Sequence, residues 1–152
     1  LNIQNYEIWV KLIGEFNAYN LLAIYSTAIQ LGMNEEEVLE KISKLNSAEG
    51  RFQTVRNTQN ITGIVDYAHT PDAYKHVLTA INNIRKNAEN LIMVFGCGGE
   101  RDKAKRPQMT SIAANMTDQV ILTADNPRRE DLGSIIKALK EQLWIIKKDV
   151  IF

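Results

Sequence analysis

The residues best suited to chemistry follow the apolar run at residues 91–95. Glycines occupy positions 96, 98 and 99, and the basic cluster after them consists of Arg101, Lys103, Lys105 and Arg106. Glycine permits backbone angles and close approaches that a Cβ atom would prevent. Because ligands of open α/β sheets bind beyond the carboxyl ends of the strands, this pattern predicts a loop that holds an anion.

A second polar group, formed by Asp125, Asn126 and Arg128, follows the apolar run at residues 119–123. If both runs are neighbouring parallel strands, these side chains and Arg101 reach one crevice. A guanidinium group binds a carboxylate through two parallel hydrogen bonds, which the ammonium group of lysine cannot do. The two arginines therefore favour a site for a small zwitterion or dicarboxylate. The alternative is that residues 125–127 only form a turn.

Two polar residues after the apolar run at residues 61–65 suit a nucleotide. Asp66 stands where a carboxylate can accept hydrogen bonds from the two hydroxyl groups of a ribose. His69 precedes a helix start, Thr70-Pro71-Asp72, and the free N–H groups at a helix N-terminus favour phosphate. Both residues are equally compatible with ordinary roles in a turn and a helix cap.

Three further residues are candidates for the same nucleotide. Asn20 lies one turn inside a predicted helix at residues 17–31, where its amide could bind a base or a ribose. Asn17 lies at the start of that helix, and its simplest role is a helix cap. Arg51 follows Gly50 in a polar stretch, and on its own it is most simply interpreted as an exposed arginine.

The elements that must position these residues alternate between helix and strand. Helices are predicted at 17–31, 34–45, 70–85, 107–116 and 131–143, and strands at 52–55, 61–65, 91–95 and 119–123. This order predicts an α/β fold with a mostly parallel sheet and helices on both faces. A break in the pattern near residues 46–50 predicts two parts: residues 1–48, which end a preceding helical domain, and residues 49–152.

Composition excludes several classes of function. Eighteen basic residues balance eighteen acidic ones, so no overall field attracts nucleic acid or an anionic membrane. No apolar run approaches the roughly 20 residues of a membrane span, and we expect no secretion signal. The one cysteine, Cys97, suits a reducing cytoplasm and is more simply a small turn residue than a reactive thiol. The chain begins with Leu and ends with Val-Ile-Phe, and we expect it to be a fragment.

Five motifs resemble the Mur ligases in order and spacing. They are Gly-Glu-Phe-Asn-Ala-Tyr-Asn, Gly-Arg-Phe, Val-Asp-Tyr-Ala-His-Thr-Pro-Asp, Val-Phe-Gly-Cys-Gly-Gly-Glu-Arg-Asp-Lys-Ala-Lys-Arg-Pro and Leu-Thr-Ala-Asp-Asn-Pro-Arg. The resemblance covers residues from about 10 to about 143. It implies that residues 1–48 end the central ATPase domain, and that residues 49–152 are a truncated Rossmann-like C-terminal domain that binds an amino acid.

The resemblance also implies an activity: ADP-forming amide synthesis in peptidoglycan assembly, with ATP and Mg²⁺. The Asp-Asn-Pro-Arg motif points to the members that add meso-diaminopimelate to UDP-N-acetylmuramoyl-L-alanyl-D-glutamate. These members work on small molecules, and we expect a cytoplasmic monomer without a nucleic-acid or membrane partner. The alternatives are a lysine-adding relative, a folylpolyglutamate synthetase and a non-catalytic ligand-binding domain.

The residues carried over from the family have three kinds of role. Asn17 and Asn20 resemble the adenine-side contacts, Arg51 and Asp66 resemble ribose and phosphate contacts, and His69 lines the same cleft. The clamp for diaminopimelate is expected to consist of Arg101, Asp125, Asn126 and Arg128.

Other family features fall outside the sequence. No residue here is expected to be a metal ligand, and none is assigned a catalytic role. The sequence lacks a phosphate-binding G-x-x-x-x-G-K-[ST] loop, which the family carries upstream together with a sugar-binding domain. A Gly-Lys-Gly-His-Glu motif would follow residue 152, so we expect the chain alone to be inactive. Glu100 stands where the family commonly has Asp or Asn.

Overall fold

The computed structural model describes residues 1–86, 88–146 and 150–151. Contacts divide it into two compact units, Leu1–Tyr67 and Ala68–Phe152. Unit 1 contains β1 (Asn2–Ile3), β2 (Tyr6–Glu7), α1 (Glu15–Gln30), α2 (Glu35–Lys44), β3 (Gln53–Arg56) and β4 (Thr62–Val65). Unit 2 contains α3 (Pro71–Ile84), β5 (Ile92–Phe95), α4 (Lys105–Met116), β6 (Gln119–Leu122), α5 (Leu132–Ile146) and β7 (Val150–Ile151).

The two helices of unit 1 pack around a small apolar core. The core residues are Ile3, Leu21, Tyr25, Val38, Leu39 and Ile42. The Asn34 side chain accepts a hydrogen bond from the Glu37 amide at 3.1 Å, so the predicted start of α2 is confirmed. The prediction that α1 is largely buried is wrong within this unit. Leu22 and Ile24 are 50% and 47% exposed, because α2 and the segment before α1 cover only one stripe of the helix.

A β-hairpin completes unit 1. Strands β3 and β4 are antiparallel, with Gln53 opposite Val65 and Arg56 opposite Thr62. The Asn57 carboxamide closes the turn by accepting hydrogen bonds from the amides of Gln59 and Ile61. Both strands and the polar turn were predicted, but the strands form a sheet of their own rather than part of the parallel sheet. Contacts group this hairpin with α1 and α2, and the domain boundary near residues 46–50 stays a prediction.

Unit 2 is an α/β arrangement around the parallel sheet β5-β6-β7. Val120 and Leu122 point to one face of β6, since side chains two apart share a face. They share a core with α3, α4 and α5, whose members include Tyr74, Met109, Ala113, Ile135, Leu139 and Leu143. The α/β fold is therefore as predicted.

Among the described residues, the three helices of unit 2 pack on one face of the sheet rather than on both. Ile92 and Val94 point to the opposite face and are 50% and 60% exposed. The alternation of helix and strand predicts helices on both faces, but it does not show which face each helix covers. The short strand β7 was not predicted.

Helix starts in unit 2 follow local chemistry. The Thr70 hydroxyl accepts a hydrogen bond from the Ala73 amide at 3.2 Å, and Pro71 opens α3, as predicted. Helix α4 begins at Lys105, two residues earlier than expected, and Ala104 before it provides no side-chain cap. In the described part of the chain, no helix combines the length and apolar character needed to cross a bilayer.

Candidate functional site

The candidate amino-acid site in unit 2 is built from two loops. The β5 loop (residues 96–104) and the β6 loop (residues 123–131) follow adjacent parallel strands, which pair Phe95 with Leu122. Both loops therefore leave the sheet at its carboxyl edge. One backbone hydrogen bond joins the two loops, from the Gly99 amide to the Asn126 carbonyl at 2.9 Å, and a second links the start of the β6 loop to the end of β5, from the Thr123 amide to the Phe95 carbonyl at 3.0 Å. The sequence predicted this convergence.

The glycines let the two loops touch backbone to backbone. A Cβ atom at Gly99 would lie 1.8 Å from the Pro127 carbonyl oxygen, and one at Gly96 would lie 2.4 Å from the Thr123 carbonyl oxygen. Neither approach is possible for a residue with a side chain. The close approach that the glycines were expected to permit is therefore one between the β5 loop and the backbone of the β6 loop.

Arg128 crosses from the β6 loop to the β5 loop. Its guanidinium donates a hydrogen bond to the Gly99 carbonyl oxygen, and its backbone amide donates to the Asn126 side chain at 3.1 Å. Its φ of 49° lies in the left-handed region, which side chains with a Cβ adopt at a cost of roughly 1–2 kcal/mol. Arg101 is an exposed residue of the β5 loop. The two predicted arms of the clamp therefore lie on loops that meet at Gly99.

Asp125 and Asn126 precede a turn that begins at Pro127, where the Glu130 amide donates a 2.9 Å hydrogen bond to the Pro127 carbonyl, so the turn lies later than the alternative interpretation of residues 125–127 expects. The Asp125 carboxylate accepts a hydrogen bond from the Asn126 amide at 2.7 Å, and the Asn126 carboxamide binds the Arg128 amide. Both side chains remain exposed at the edge of the site. A structural role for them is therefore observed, and a ligand-binding role stays a prediction.

Arg106 is the residue of the basic cluster that sequence reasoning misjudged. The sequence pattern places it only among the cations of an anion-holding loop, but it is just 5% exposed. Its guanidinium donates two hydrogen bonds of 2.8 Å to the Glu130 carboxylate and one of 3.1 Å to the Gly98 carbonyl oxygen. Local patterns could not reveal this pair, because its partner lies 24 residues along the chain.

Glu130 collects further donors from the β5 loop. Lys103 lies 3.0 Å from its carboxylate, and the Glu100 amide donates to it at 3.2 Å. The hydrogen bonds from Arg106 and Lys103 hold the pKa of Glu130 well below its usual range. The same bond to Glu130 raises the pKa of Arg106. The two groups are therefore a charged pair at neutral pH.

Cys97 belongs to the core and not to the open part of the site. It is buried beside Tyr74, Phe95 and Met109. Burial raises the pKa of its thiol, and the Arg106 charge opposes that shift only in part. The thiol is therefore protonated at neutral pH, which supports the structural interpretation of this residue.

Arg51 and Asp66 lie at the open end of the hairpin in unit 1. The Asp66 carboxylate accepts a hydrogen bond from the Phe52 amide at 2.8 Å. The Arg51 guanidinium lies 5.2 Å from the centre of the Tyr67 ring, within cation–π range. Phe52 in turn packs its ring 5.8 Å from that of Phe16 in α1. This contact joins the hairpin to the first turn of α1, where the asparagine candidates are found.

Asn17 does not occupy the helix cap suggested for it. Gly14 is the N-cap residue, and the Asn17 amide nitrogen donates to the Ile13 carbonyl at 2.7 Å. Its oxygen accepts a hydrogen bond of 3.1 Å from Asn20. Unit 1 thus carries four of the nucleotide candidates, with Asn17 bonded to Asn20 and Asp66 bonded to the residue after Arg51. The fifth, His69, belongs to unit 2 and is exposed just before α3.

A family model described as "Mur ligase, glutamate ligase domain" matches residues 50–151. The chain belongs to the Mur ligase family. The resemblance drawn from its five motifs is therefore confirmed.

Two similar proteins carry the same name, UDP-N-acetylmuramoyl-L-alanyl-D-glutamate–2,6-diaminopimelate ligase. The one from Cytophaga hutchinsonii is 48% identical over 97% of this chain and 30% of its own length. A solved structure of that name has a TM-score of 0.59 at 41% identity, over 90% of this chain and 27% of the other. This Mur ligase chain therefore spans about a third or less of the curated relatives it matches.

The fold extends beyond enzymes of that name. A folylpolyglutamate synthase from Mycobacterium tuberculosis has a TM-score of 0.73 at 22% identity, over 95% of this chain and 32% of that protein. At this identity the likeness concerns the fold alone. The choice between the two activities therefore rests on the residues of the site and on the closer relatives.

Proposed function

We propose that this chain is part of an ATP-dependent, ADP-forming amide ligase that adds meso-diaminopimelate to UDP-N-acetylmuramoyl-L-alanyl-D-glutamate in peptidoglycan biosynthesis. In this proposal residues 1–48 end the ATP-binding domain and residues 49–152 bind the amino acid. The observation that carries it is the pair of joined loops that present Arg101, Asn126 and Arg128 at the carboxyl edge of the sheet. The names of relatives 40% to 50% identical to this chain agree with it.

The proposed reaction has two steps. The terminal phosphoryl group of ATP passes to the D-glutamate carboxylate, releasing ADP and forming an acyl phosphate. The diaminopimelate amine then attacks the acyl carbon, the C–O bond to phosphate breaks, and phosphate leaves as the amide forms. Diaminopimelate differs from lysine by one distal carboxylate, and Arg128 offers this carboxylate a cationic fork. Arg101 and Asn126 would bind the remaining polar groups.

Within unit 1, Asn17 and Asn20 would bind the adenine of ATP, and Arg51 and Asp66 would bind its ribose and phosphates; the role of His69 stays a separate prediction. In this role the Asn17–Asn20 hydrogen bond orients both amides, and the Phe52 amide orients the Asp66 carboxylate. Mg²⁺ would neutralise charge that develops on the phosphates. Within the described ranges, no group of three or more His, Cys, Asp or Glu residues could hold a metal ion. The proposal names no magnesium ligand among the residues of this chain.

The test is the choice of amino acid by the whole ligase. Purified enzyme, ATP and the UDP-muramoyl dipeptide are mixed with either meso-diaminopimelate or lysine, and ADP release is followed. We expect release with diaminopimelate to be much faster. Faster release with lysine would favour a lysine-adding enzyme, and release with folate plus glutamate would favour a folylpolyglutamate synthetase.

The proposed cytoplasmic location is checked by cell fractionation, and the proposed monomeric state by light scattering of the same protein.

A further inference from the structure

The Arg106–Glu130 ion pair joins three elements at the base of the candidate site. Arg106 belongs to the first turn of α4, its guanidinium binds Gly98 of the β5 loop, and Glu130 belongs to the β6 loop. Glu130 also accepts the Glu100 amide. The pair thus ties down the β5 loop on both sides of Gly99, which bears the carbonyl that Arg128 contacts.

Helix stability does not account for the position of Arg106. A cation in the first turn of a helix is opposed by the helix dipole, and α4 has neither an acidic residue in that turn nor a side-chain cap. The Nε atom of Arg106 is buried and has no hydrogen-bond partner among the described residues, which adds an unfavourable desolvation free energy. Buried ion pairs are themselves weak sources of stability. What the pair does provide is a fixed separation between two loops.

The positions of the clamp residues follow from that separation. Arg101 is adjacent to Glu100, whose amide Glu130 accepts, and Arg128 lies two residues before Glu130. Glu130 is also bound within its own loop, through a 2.9 Å hydrogen bond from its amide to the Pro127 carbonyl. If the pair is broken, the β5 loop loses an anchor next to Arg101, and the segment that follows Arg128 loses its side-chain link to the β5 loop.

We propose that Arg106 and Glu130 are positioning residues for amino-acid recognition: their buried ion pair sets the spacing of Arg101 and Arg128, and so the affinity for an amino acid with a distal carboxylate. This inference rests on the proposed function. Neither residue touches the substrate in this account.

The experiment compares Arg106→Met, Arg106→Lys and Glu130→Gln in the whole ligase. Lys105→Met is the matched control, because Lys105 is exposed in the same turn and pairs only loosely with Asp102, at 3.8 Å. We expect Arg106→Met and Glu130→Gln to raise the KM for diaminopimelate at least tenfold while the KM for ATP stays within twofold. Arg106→Lys should recover part of the loss, since lysine keeps the charge but not the fork. Equal changes in both KM values, or no change in either, would overturn the proposal.

A second measurement separates this inference from the proposed function. Hydrogen exchange is followed at the peptides that contain Gly99, Glu100 and Glu130. The amides of Gly99 and Glu100 donate hydrogen bonds to the β6 loop, and the Glu130 amide donates one within that loop. We expect exchange there to speed up in Arg106→Met and Glu130→Gln, with Lys105→Met unchanged and exchange in α1 unchanged in all variants. If the wild-type enzyme does not use diaminopimelate, the proposed function is wrong. The exchange pattern still tests whether the ion pair holds the two loops in place. Unchanged loop exchange in both variants would contradict it.

Discussion

The Arg128 guanidinium donates a hydrogen bond to the carbonyl oxygen of Gly99, so a side chain of the β6 loop rests on the backbone of the β5 loop. Arg128 reaches this place with a left-handed backbone, at φ 49°. Backbone strain of this kind is retained where surrounding contacts over-determine it, which is common at ligand sites. The Asn126 side chain supplies one such contact by binding the Arg128 amide.

Gly99→Ala should separate the two loops. The new Cβ atom would meet the Pro127 carbonyl oxygen, and backbone cannot yield as a flexible side chain can. We expect the free energy of unfolding to fall by about 1–3 kcal/mol, the usual cost of overpacking. Urea titration of the 152-residue chain measures it. Gly63→Ala is the matched control, because its Cβ atom would meet only the Val55 carbonyl, at an ordinary 3.7 Å. Equal stability of the two variants would contradict the close contact.

The Glu130 carboxylate should make stability depend on pH. Hydrogen bonds from Arg106 and Lys103 lower its folded-state pKa, so its contribution is complete above the unfolded value of about 4.3. It is lost as the pH falls from there towards the lower folded value. We therefore expect wild type to be more stable than Glu130→Gln at pH 7, and the difference to shrink below about pH 4.

Urea unfolding of wild type and of Glu130→Gln between pH 3 and pH 7 measures this difference. Glu36→Gln, at an exposed position of α2, controls for the general loss of a negative charge. A difference between wild type and Glu130→Gln that is as large at pH 3 as at pH 7 would show that Glu130 does not act through its charge.

Cys97 should resist thiol reagents while the chain is folded. Its side chain is buried, and burial raises the pKa of the thiol. A reagent therefore reaches the sulfur rarely, and little of the reactive thiolate is present. We expect the native chain to react with a chromogenic disulfide reagent at least a hundredfold more slowly than the chain in guanidinium, a rough figure for a buried thiol. Absorbance at neutral pH follows both reactions. Equal rates would place the thiol at the surface and revive the reactive interpretation.

Local chemistry made much of the fold predictable from the sequence. The side chains of Asn34 and Thr70 accept hydrogen bonds from amides three residues later. The helix starts can therefore be recognised from residues that are close in sequence. The predicted meeting of the β5 and β6 loops followed from the rule for parallel strands. The backbone at Glu100 accounts for the residues that the family commonly has at this position. Its φ is 51°, a left-handed conformation that Asp and Asn tolerate better than Glu.

Other features depend on partners distant in the chain. The exposure of Ile92 and Val94 is decided by what covers the second face of the sheet, and an apolar run does not contain that information. Arg106 could not be distinguished from the other cations of its cluster, because its partner Glu130 is recognisable only once α4 and the β6 loop are placed. The roles of Asn17 and Arg51 towards ATP are likewise not fixed by their contacts within unit 1.

The most direct test of the central claim compares two amino acids in two enzymes. The kcat/KM values of the whole ligase for meso-diaminopimelate and for lysine are measured in wild type and in Arg128→Ala, with Arg129→Ala as the neighbouring exposed control. Arg128 is exposed in the chain alone, and in the proposed complex its guanidinium pairs with the distal carboxylate of diaminopimelate. Loss of one partner from such a pair, once it is buried in a complex, costs about 2–5 kcal/mol. The account therefore predicts that Arg128→Ala lowers the preference for diaminopimelate over lysine by roughly 30-fold or more, leaving the KM for ATP near its wild-type value. An unchanged preference in Arg128→Ala would contradict it.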